Sequence, residues 1–167
     1  MTSRTLRQTI RQQRRALTHG EAATCAEQLA QQASKHPLIL RSQRIAAYLA
    51  TDGEIDPLPL LQACWSAGKQ VYLPVLVPFA PHKLWFARFS PDDTLAFNRF
   101  GIPEPVQRQL IKPSALDLVL TPLVALDVAG LRVGMGGGFY DRTFAFLQRR
   151  QHWHKPNLIG LAYEFQK

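Results

Sequence analysis

The stretch RIAAYLATDGEIDPLPLLQACWSAGKQVYL, residues 44–73, has the pattern of a strand, a helix and a second strand. After Arg44, residues up to 50 form a short apolar run, as in a buried parallel strand. Asp56 followed by Pro57 predicts the N-cap and first residue of a helix that ends at Gly68. With a further strand at 70–73, the stretch predicts a βαβ unit.

The loop from Thr51 to Glu54 directly follows the first of these strands. In open α/β sheets, ligands bind at the carboxyl ends of the strands. Asp52 and Glu54 are therefore candidate site residues.

Two helices are predicted before this unit. Residues 2–17 carry basic side chains at steps of three and four, which share one stripe of a helix: Arg4, Arg7, Arg11 and Arg14. Leu6, Ile10 and Leu17 form a neighbouring apolar stripe that can pack on the domain. Thr18 and Glu21 have the spacing of a capping box, so a second helix begins there and ends near 35–37.

Strand and helix patterns continue to alternate after the βαβ unit. The predicted elements are a strand at 84–89, an extended loop at 100–105, a strand region at 116–126 interrupted by Thr121 and Pro122, a turn at 127–130, a helix from 139 to about 150 and a strand at 157–163. We therefore predict an α/β fold of three layers, α/β/α, with a mostly parallel sheet. Phe100, in the extended loop, either stacks on a flat heterocycle or packs into the core.

A second decisive stretch is LRVGMGGGFYDR, residues 131–142. Residues 134–138, the glycine segment, contain four glycines and can turn several amides toward one anion before a helix begins. Arg132 and Arg142 add positive charge, and Asp141 adds a carboxylate suited to a metal ion. A phosphate site is the favoured interpretation over a tight connecting turn.

This stretch fits neither of two common phosphate motifs. A Walker A loop requires a lysine after its last glycine, where this chain has Phe139. A dinucleotide fingerprint that starts at Gly134 requires its third glycine at position 139, which is Phe139 here. The sequence thus supports neither a P-loop NTPase nor a Rossmann dehydrogenase.

Composition indicates one folded domain. The chain has 167 residues, of which 46% are hydrophobic and 19% charged. No apolar run approaches the roughly 18 residues of a membrane span, and no secretory signal is recognisable, so we expect a cytoplasmic protein without membrane contacts. Cys25 and Cys64 lie in helical patterns as buried thiols, and the histidines do not complete a zinc site.

The formal charge of +8 allows either a nucleic acid or a small polyanion as a ligand. Much of this charge lies in the first helix, whose arginines either contact a ligand or form a solvated basic face. No basic-aromatic motif of a known RNA-binding module is present, so a small phosphate-rich ligand explains the charge at least as well.

With these residues identified, the chain resembles the 5-formyltetrahydrofolate cyclo-ligases, also called methenyltetrahydrofolate synthetases. The resemblance covers nearly the whole length and rests on five motifs in order. They are the basic first helix with Arg14-Arg15-Ala16-Leu17-Thr18, Asp52-Gly53-Glu54-Ile55-Asp56, Phe100-Gly101-Ile102-Pro103-Glu104-Pro105, Thr121-Pro122-Leu123-Val124-Ala125 and the stretch 132–142.

The resemblance implies a Rossmann-like topology similar to that of sugar-phosphate isomerases and CoA transferases. It also implies an ATP- and Mg²⁺-dependent cyclisation of 5-formyltetrahydrofolate to 5,10-methenyltetrahydrofolate, through a phosphorylated formyl intermediate, with release of ADP and phosphate. The expected partners are the folate and ATP, without nucleic acid, and the expected state is a monomer.

The resemblance also implies roles for individual residues. It implies that Arg132, Tyr140 and Asp141 are catalytic, with Asp141 as the magnesium ligand. The implied ATP-binding residues are Ser3, Arg4, Arg7, Arg132, Gly134, Met135, Gly136, Gly137, Gly138, Phe139 and Tyr140. The implied folate-binding residues are Leu49, Glu54, Phe100, Met135 and Tyr140.

Family members commonly continue for roughly twenty or more residues past the last predicted strand, so we expect a single cyclo-ligase domain, residues 1–167, that lacks the family's C-terminal segment. Two other functions fit parts of the pattern. A sugar-phosphate isomerase or deaminase would use the glycine segment and the arginines, but it needs a catalytic base that is not evident apart from Asp141. A basic nucleic-acid-binding protein would explain the charge and would lose affinity steeply with salt.

Overall fold

The structure is a computed structural model that describes residues 3–126, 132–134, 136–152 and 154–167, without the side chains of Ser3 and Arg132. The helices of this part are α1 (Ser3–Ala16), α2 (His19–Ala33), α3 (Pro37–Arg41), α4 (Leu58–Ser66) and α5 (Phe139–Phe144). The strands are β1 (Arg44–Ala46), β2 (Gln70–Val75), β3 (Trp85–Phe89), β4 (Leu95–Phe97), β5 (Pro103–Pro105), β6 (Leu110–Ile111), β7 (Leu118–Pro122), β8 (Ala125–Leu126), β9 (Arg132–Val133) and β10 (Asn157–Leu161). No helix of the described ranges is both long and apolar enough to cross a bilayer.

Six strands form one sheet in the order β10-β7-β1-β2-β3-β6. The first four run parallel to their neighbours, whereas β3 is antiparallel to β2 and β6 is antiparallel to β3. This confirms the predicted mostly parallel sheet, and it confirms the βαβ unit formed by β1, α4 and β2.

The sheet is covered on both faces. Because successive strand residues point to opposite faces, Ile45 packs in one cluster with Leu60 and Leu61 of α4. The next residue, Ala46, packs in a second cluster with Phe144 of α5. The two clusters make the three layers that the alternation of strands and helices predicts.

The chain reverses its direction of travel across the sheet at β1. From β1 it proceeds through β2 and β3 to the edge strand β6, and it then returns to the other side of β1 as β7. The carboxyl ends of β1 and β7 therefore flank a topological switch point, which is where open α/β sheets bind their ligands.

Several strands differ from the predicted bounds, among them β1 and β7. β1 ends at Ala46, although the apolar run continues to residue 50. Ala47 and Tyr48 remain buried in the loop, so that run reflects burial more than strand pairing. β7 instead continues through Thr121 and Pro122, because both pair with β10 in the parallel ladder.

The region between β3 and β7 contains structure that the sequence did not predict. Residues 103–105 of the expected extended loop form β5, which pairs with β4 in a separate hairpin.

Two helical regions elsewhere in the chain also differ from the prediction. The short helix α3, which precedes β1, was not predicted. The predicted helix at 139–150 is α5 followed by 3₁₀ turns at 145–149.

The predicted helix ends are largely confirmed. The Thr18 hydroxyl accepts a hydrogen bond from the Glu21 amide, and the Glu21 carboxylate accepts one from the Thr18 amide. This is the expected capping box. α4 begins one residue later than predicted, and the Asp56 carboxylate accepts a hydrogen bond from the Leu58 amide at 2.9 Å.

The prediction of two buried thiols is confirmed for Cys64, whereas Cys25 is only partly buried. The predicted turn at 127–130 lies outside the described residues.

Candidate active site

Two loops flank the switch point. The loop 51–54, hereafter the Asp52 loop, follows β1. The glycine segment follows the small antiparallel ribbon of β8 and β9, which the chain enters directly after β7. Sequence-predicted site residues from both stretches thus lie at the same edge of the sheet.

The glycine segment adopts a backbone that glycine favours. Gly136 has a φ of +105° and Gly138 a φ of +65°. Arg142 braces this turn, since its Nη2 donates to the Gly137 carbonyl at 2.7 Å and its Nε to the His82 carbonyl at 2.8 Å. Within the described ranges, the amides of Gly136, Gly137 and Gly138 donate to no protein acceptor. Arg142 is therefore engaged with carbonyl groups, and the three amides can turn to an anion.

One face of α1 is strongly basic and lies next to this segment. Four arginines and two glutamines line a depression of about 420 Å³, the arginine face: Arg4, Arg7, Gln8, Arg11, Gln12 and Arg15. Arg7 connects the face to the glycine segment, because its Nε donates to the Gly134 carbonyl at 2.9 Å.

Arg14 does not belong to the exposed stripe, which corrects the prediction. Its side chain is fully buried, because residue 14 lies one turn after the buried Ile10 and shares its side of the helix. None of its guanidinium nitrogens has a hydrogen-bond partner in the described part of the chain. Its Nη2 lies 3.6 Å from Asp52 Oδ2, so its charge is balanced through that acid.

Asp52 joins α1 to the loop after β1. Its carboxylate accepts hydrogen bonds from Arg11 Nε at 2.6 Å and Arg15 Nε at 2.5 Å. Burial raises the pKa of Asp52, but the hydrogen bonds and charges of the two arginines outweigh it, so the pKa lies below its usual value. The sequence marked Asp52 only as a candidate site residue, and the structure makes it an anchor for the arginines.

The Asp52 loop also fixes Glu54. The Glu54 carboxylate accepts the Thr51 amide at 3.1 Å and the Thr51 hydroxyl at 3.3 Å. Burial raises the pKa of Glu54 above its usual value, opposed by the Thr51 amide and by the positive charge of Arg14. A partly buried carboxylate that is fixed in this way is suited to accept hydrogen bonds from a ligand's N–H groups.

A buried tyrosine, Tyr48, lies in the chain between β1 and the Asp52 loop. The Tyr48 hydroxyl donates to the Ile55 carbonyl at 2.7 Å. Burial raises the pKa of Tyr48 well above its usual value, and the negative charge of Glu54 raises it further. Leu49, the next residue, packs partly buried against the core cluster.

Phe100 lies beside the glycine segment and not in the core. Its ring contacts that of Phe139 edge to face at a centroid distance of 5.9 Å, and the residue is 55% exposed. Of the two interpretations of Phe100, the structure favours a ring that is available to a ligand.

The remaining predicted residues lie at the start of α5 or outside the described part. The ring of Tyr140 stacks on that of Phe144 at a centroid distance of 6.4 Å, whereas Asp141 is exposed in the first turn of α5. Both make further interactions. The backbones of Ser3 and Arg132 begin α1 and β9, and the side chains of these two residues and the whole of Met135 lie outside the described part.

Comparison with known proteins gives a consistent family. The model of the 5-formyltetrahydrofolate cyclo-ligase family matches residues 1–167. The Escherichia coli K12 5-formyltetrahydrofolate cyclo-ligase is 44% identical over 159 residues, which is 94% of this chain and 85% of the relative. The Haemophilus influenzae enzyme of the same name is 44% identical over 169 residues, covering 96% and 87% of the two chains.

A solved structure agrees with this result. The NMR structure of Aquifex aeolicus 5,10-methenyltetrahydrofolate synthetase superposes with a TM-score of 0.81 at 30% identity, and it covers 99% of this chain and 80% of that chain.

Proposed function

Because the chain belongs to the 5-formyltetrahydrofolate cyclo-ligase family, we propose that it converts 5-formyltetrahydrofolate and ATP into 5,10-methenyltetrahydrofolate, ADP and phosphate. The observation that carries this proposal is the convergence of the Asp52 loop and the glycine segment on the switch point between β1 and β7. One loop offers a fixed carboxylate and the other a turn of amides beside arginines, which suits a pterin next to a phosphate chain.

ATP would bind with its phosphates against the glycine segment. The amides of Gly136 to Gly138 have no acceptor among the described residues, and the arginine face adds positive charge beside them. Gly134, Met135, Phe139 and Tyr140 would complete the turn around the phosphates. Ser3, Arg4, Arg7 and Arg132 would hold the nucleotide from α1 and β9.

Asp141 would hold Mg²⁺ together with the phosphate oxygens. No group of three or more His, Cys, Asp or Glu side chains that could hold a metal occurs in the described ranges. That finding fits Mg²⁺, which binds at nucleotide sites through one or two carboxylates, phosphate oxygens and water. Asp141 is an exposed carboxylate three residues after the last glycine of the segment, so its chemistry fits. The ion would neutralise phosphate charge.

The folate would bind on the opposite side of the crevice. Glu54 would accept hydrogen bonds from the pterin N–H groups, and Leu49 would contact the ring. Phe100, Met135 and Tyr140 would enclose the end that carries the formyl group. This order would bring the formyl oxygen next to the terminal phosphate of ATP.

The chemistry requires positioning and charge neutralisation more than acid-base catalysis. The formyl oxygen attacks the γ-phosphorus and ADP leaves, which gives an N5 iminium phosphate. N10 then attacks the formyl carbon, its proton passes to solvent, and the C–O bond breaks as phosphate departs. Arg132 and Tyr140 would stabilise the charge that develops on the transferred group.

The test is turnover by the purified chain. We expect methenyltetrahydrofolate absorbance to rise only when 5-formyltetrahydrofolate, ATP and Mg²⁺ are all present, with one ADP formed per methenyl product. A matched reaction with a non-hydrolysable ATP analogue should give no product. Absorbance that rises without ATP, or ADP release that does not require the folate, would contradict the proposal.

A further inference from the structure

We propose that a cavity beside Phe100 binds the p-aminobenzoylglutamate arm of the folate, with Arg99 pairing with a glutamate carboxylate. The inference rests on the proposed function for the identity of the substrate. It adds a subsite and a specificity residue, Arg99, to the residues that hold the pterin and the nucleotide.

The cavity lies between the connection from β2 to β3 and the β4–β5 hairpin, and we call it the hairpin cavity. It has a volume of about 520 Å³, which is in the range of small-molecule sites. Leu76, Val77 and Pro78 line one wall, and Phe97 and Val106 the other. Phe97 is 77% exposed and Val106 55%, so apolar surface of the kind that an aromatic ring covers is open to solvent here.

Internal hydrogen bonds hold the two walls together. Glu104, which is almost fully buried, accepts the Leu76 amide at 2.8 Å and the Asn98 side-chain amide at 2.9 Å. Arg108 pairs with the same carboxylate at 2.7 Å and donates to the Leu76 carbonyl at 2.8 Å. The cavity is therefore preformed, and the charge of Arg108 is used within the wall.

The second cation of the cavity is available. Arg99 is exposed, and within the described residues it makes neither a hydrogen bond nor an ion pair. Its guanidinium lies over the ring of Phe100, 4.9 Å from the centroid. An aromatic ring and a free guanidinium side by side match a ligand that carries an aryl group next to a carboxylate.

The position of the cavity connects it to the proposed pterin site. Phe100 contacts Arg99 on one side and Phe139, the first residue after the glycine segment, on the other. A folate whose formyl end faces the glycine segment would extend its arm past Phe100 into the hairpin cavity. Neighbouring charge is complementary as well, because the arm is anionic and the cavity's unpaired side chain is cationic.

The experiment compares two substrates that differ only in the glutamate: 5-formyltetrahydrofolate and 5-formyltetrahydropteroate. We expect Arg99→Gln to raise the KM for the first about tenfold and to leave the KM for the second and for ATP unchanged, as one lost partly exposed ion pair requires. Arg99→Lys should recover part of the loss. Arg41→Gln, which removes an exposed arginine of α3 that does not line the hairpin cavity, is the matched control and should change nothing.

A second variant tests the cavity itself. Val106→Glu places a negative charge on an exposed cavity wall and should raise the KM for the glutamate-bearing substrate more than Arg99→Gln does. An equal rise for both substrates, or no rise for either, would overturn the inference while the turnover of the wild-type chain still supports the proposed function. If the wild-type chain shows no turnover, p-aminobenzoylglutamate binding measured by calorimetry still tests the cavity. Binding by the wild type that Arg99→Gln weakens would support it, and absence of binding would overturn it.

Discussion

Gly53→Ala should destabilise the protein much more than Gly68→Ala, although the two glycines share one backbone conformation. Both have a φ of +73°. A Cβ at Gly53 would lie 3.0 Å from the backbone carbon and oxygen of Arg14, whereas a Cβ at Gly68 would meet nothing within 4 Å. The contact at Gly53 is with helical backbone, which cannot move aside as a flexible side chain can.

The magnitudes follow from two separate costs. The left-handed conformation costs an alanine roughly 1–2 kcal/mol, and the smaller entropy of its unfolded chain offsets about 0.4–1 kcal/mol. Gly68→Ala should therefore lower the free energy of unfolding by about 1 kcal/mol. Overpacking at Gly53 adds roughly 1–3 kcal/mol, for a total of about 2–4 kcal/mol.

Urea unfolding followed by circular dichroism at neutral pH measures both variants under the same conditions. The midpoints should separate while the m-values stay equal. Gly53→Ala should also weaken folate binding, because the shifted loop carries Glu54, whereas Gly68→Ala should not. Equal destabilisation by the two substitutions would refute the close approach of the Asp52 loop to α1.

Three further predictions concern acidic residues. Glu54→Gln should raise the free energy of unfolding at neutral pH, because a carboxyl group with a raised folded pKa destabilises the protein as pH rises through that pKa. In calorimetry the same substitution should weaken folate binding far more than ATP binding. Equal losses for both ligands would contradict the pterin role. Asp52→Asn should lower the free energy of unfolding at pH 7, measured by urea unfolding. The difference in this free energy from the wild type should shrink as pH falls below the ordinary aspartate pKa of 3.8 and through the lower pKa of folded Asp52. A difference that is constant with pH would exclude the arginine pairing as its cause. Asp141→Asn should reduce turnover at least about a hundredfold with an unchanged unfolding midpoint, since the side chain is exposed; undiminished turnover would remove the metal assignment.

Local sequence signals predicted the elements that frame the site. The capping box of Thr18 and Glu21 and the strand–helix–strand pattern of residues 44–73 depend on neighbours in the chain, and both are confirmed. The glycine segment was identified from its four glycines within five residues, and in the structure two of these glycines have a positive φ. Its phosphate role remains a prediction, as do the magnesium ligand, the monomeric state and the cytoplasmic location.

Contacts between distant parts of the chain were beyond such signals. Arg14 has helical spacing both to the basic stripe and to Ile10 in the apolar stripe, and the packing of α1 on the Asp52 loop shows that its side chain lies on the buried side. The pairing of β4 with β5 was hidden by the prolines that flank Glu104, because a short edge hairpin tolerates prolines that a central strand does not. Arg99 gave no signal in the sequence, since its significance lies in the cavity that two distant loops form.

The most direct test of the proposed reaction follows the formyl oxygen. We propose that this oxygen attacks the terminal phosphate of ATP at the glycine segment and leaves as part of inorganic phosphate. In a single turnover with 5-formyltetrahydrofolate labelled with ¹⁸O in the formyl group, we expect one ¹⁸O atom in the released phosphate for each methenyl product, detected by mass spectrometry. Label that appears in water, with unlabelled phosphate, would contradict it.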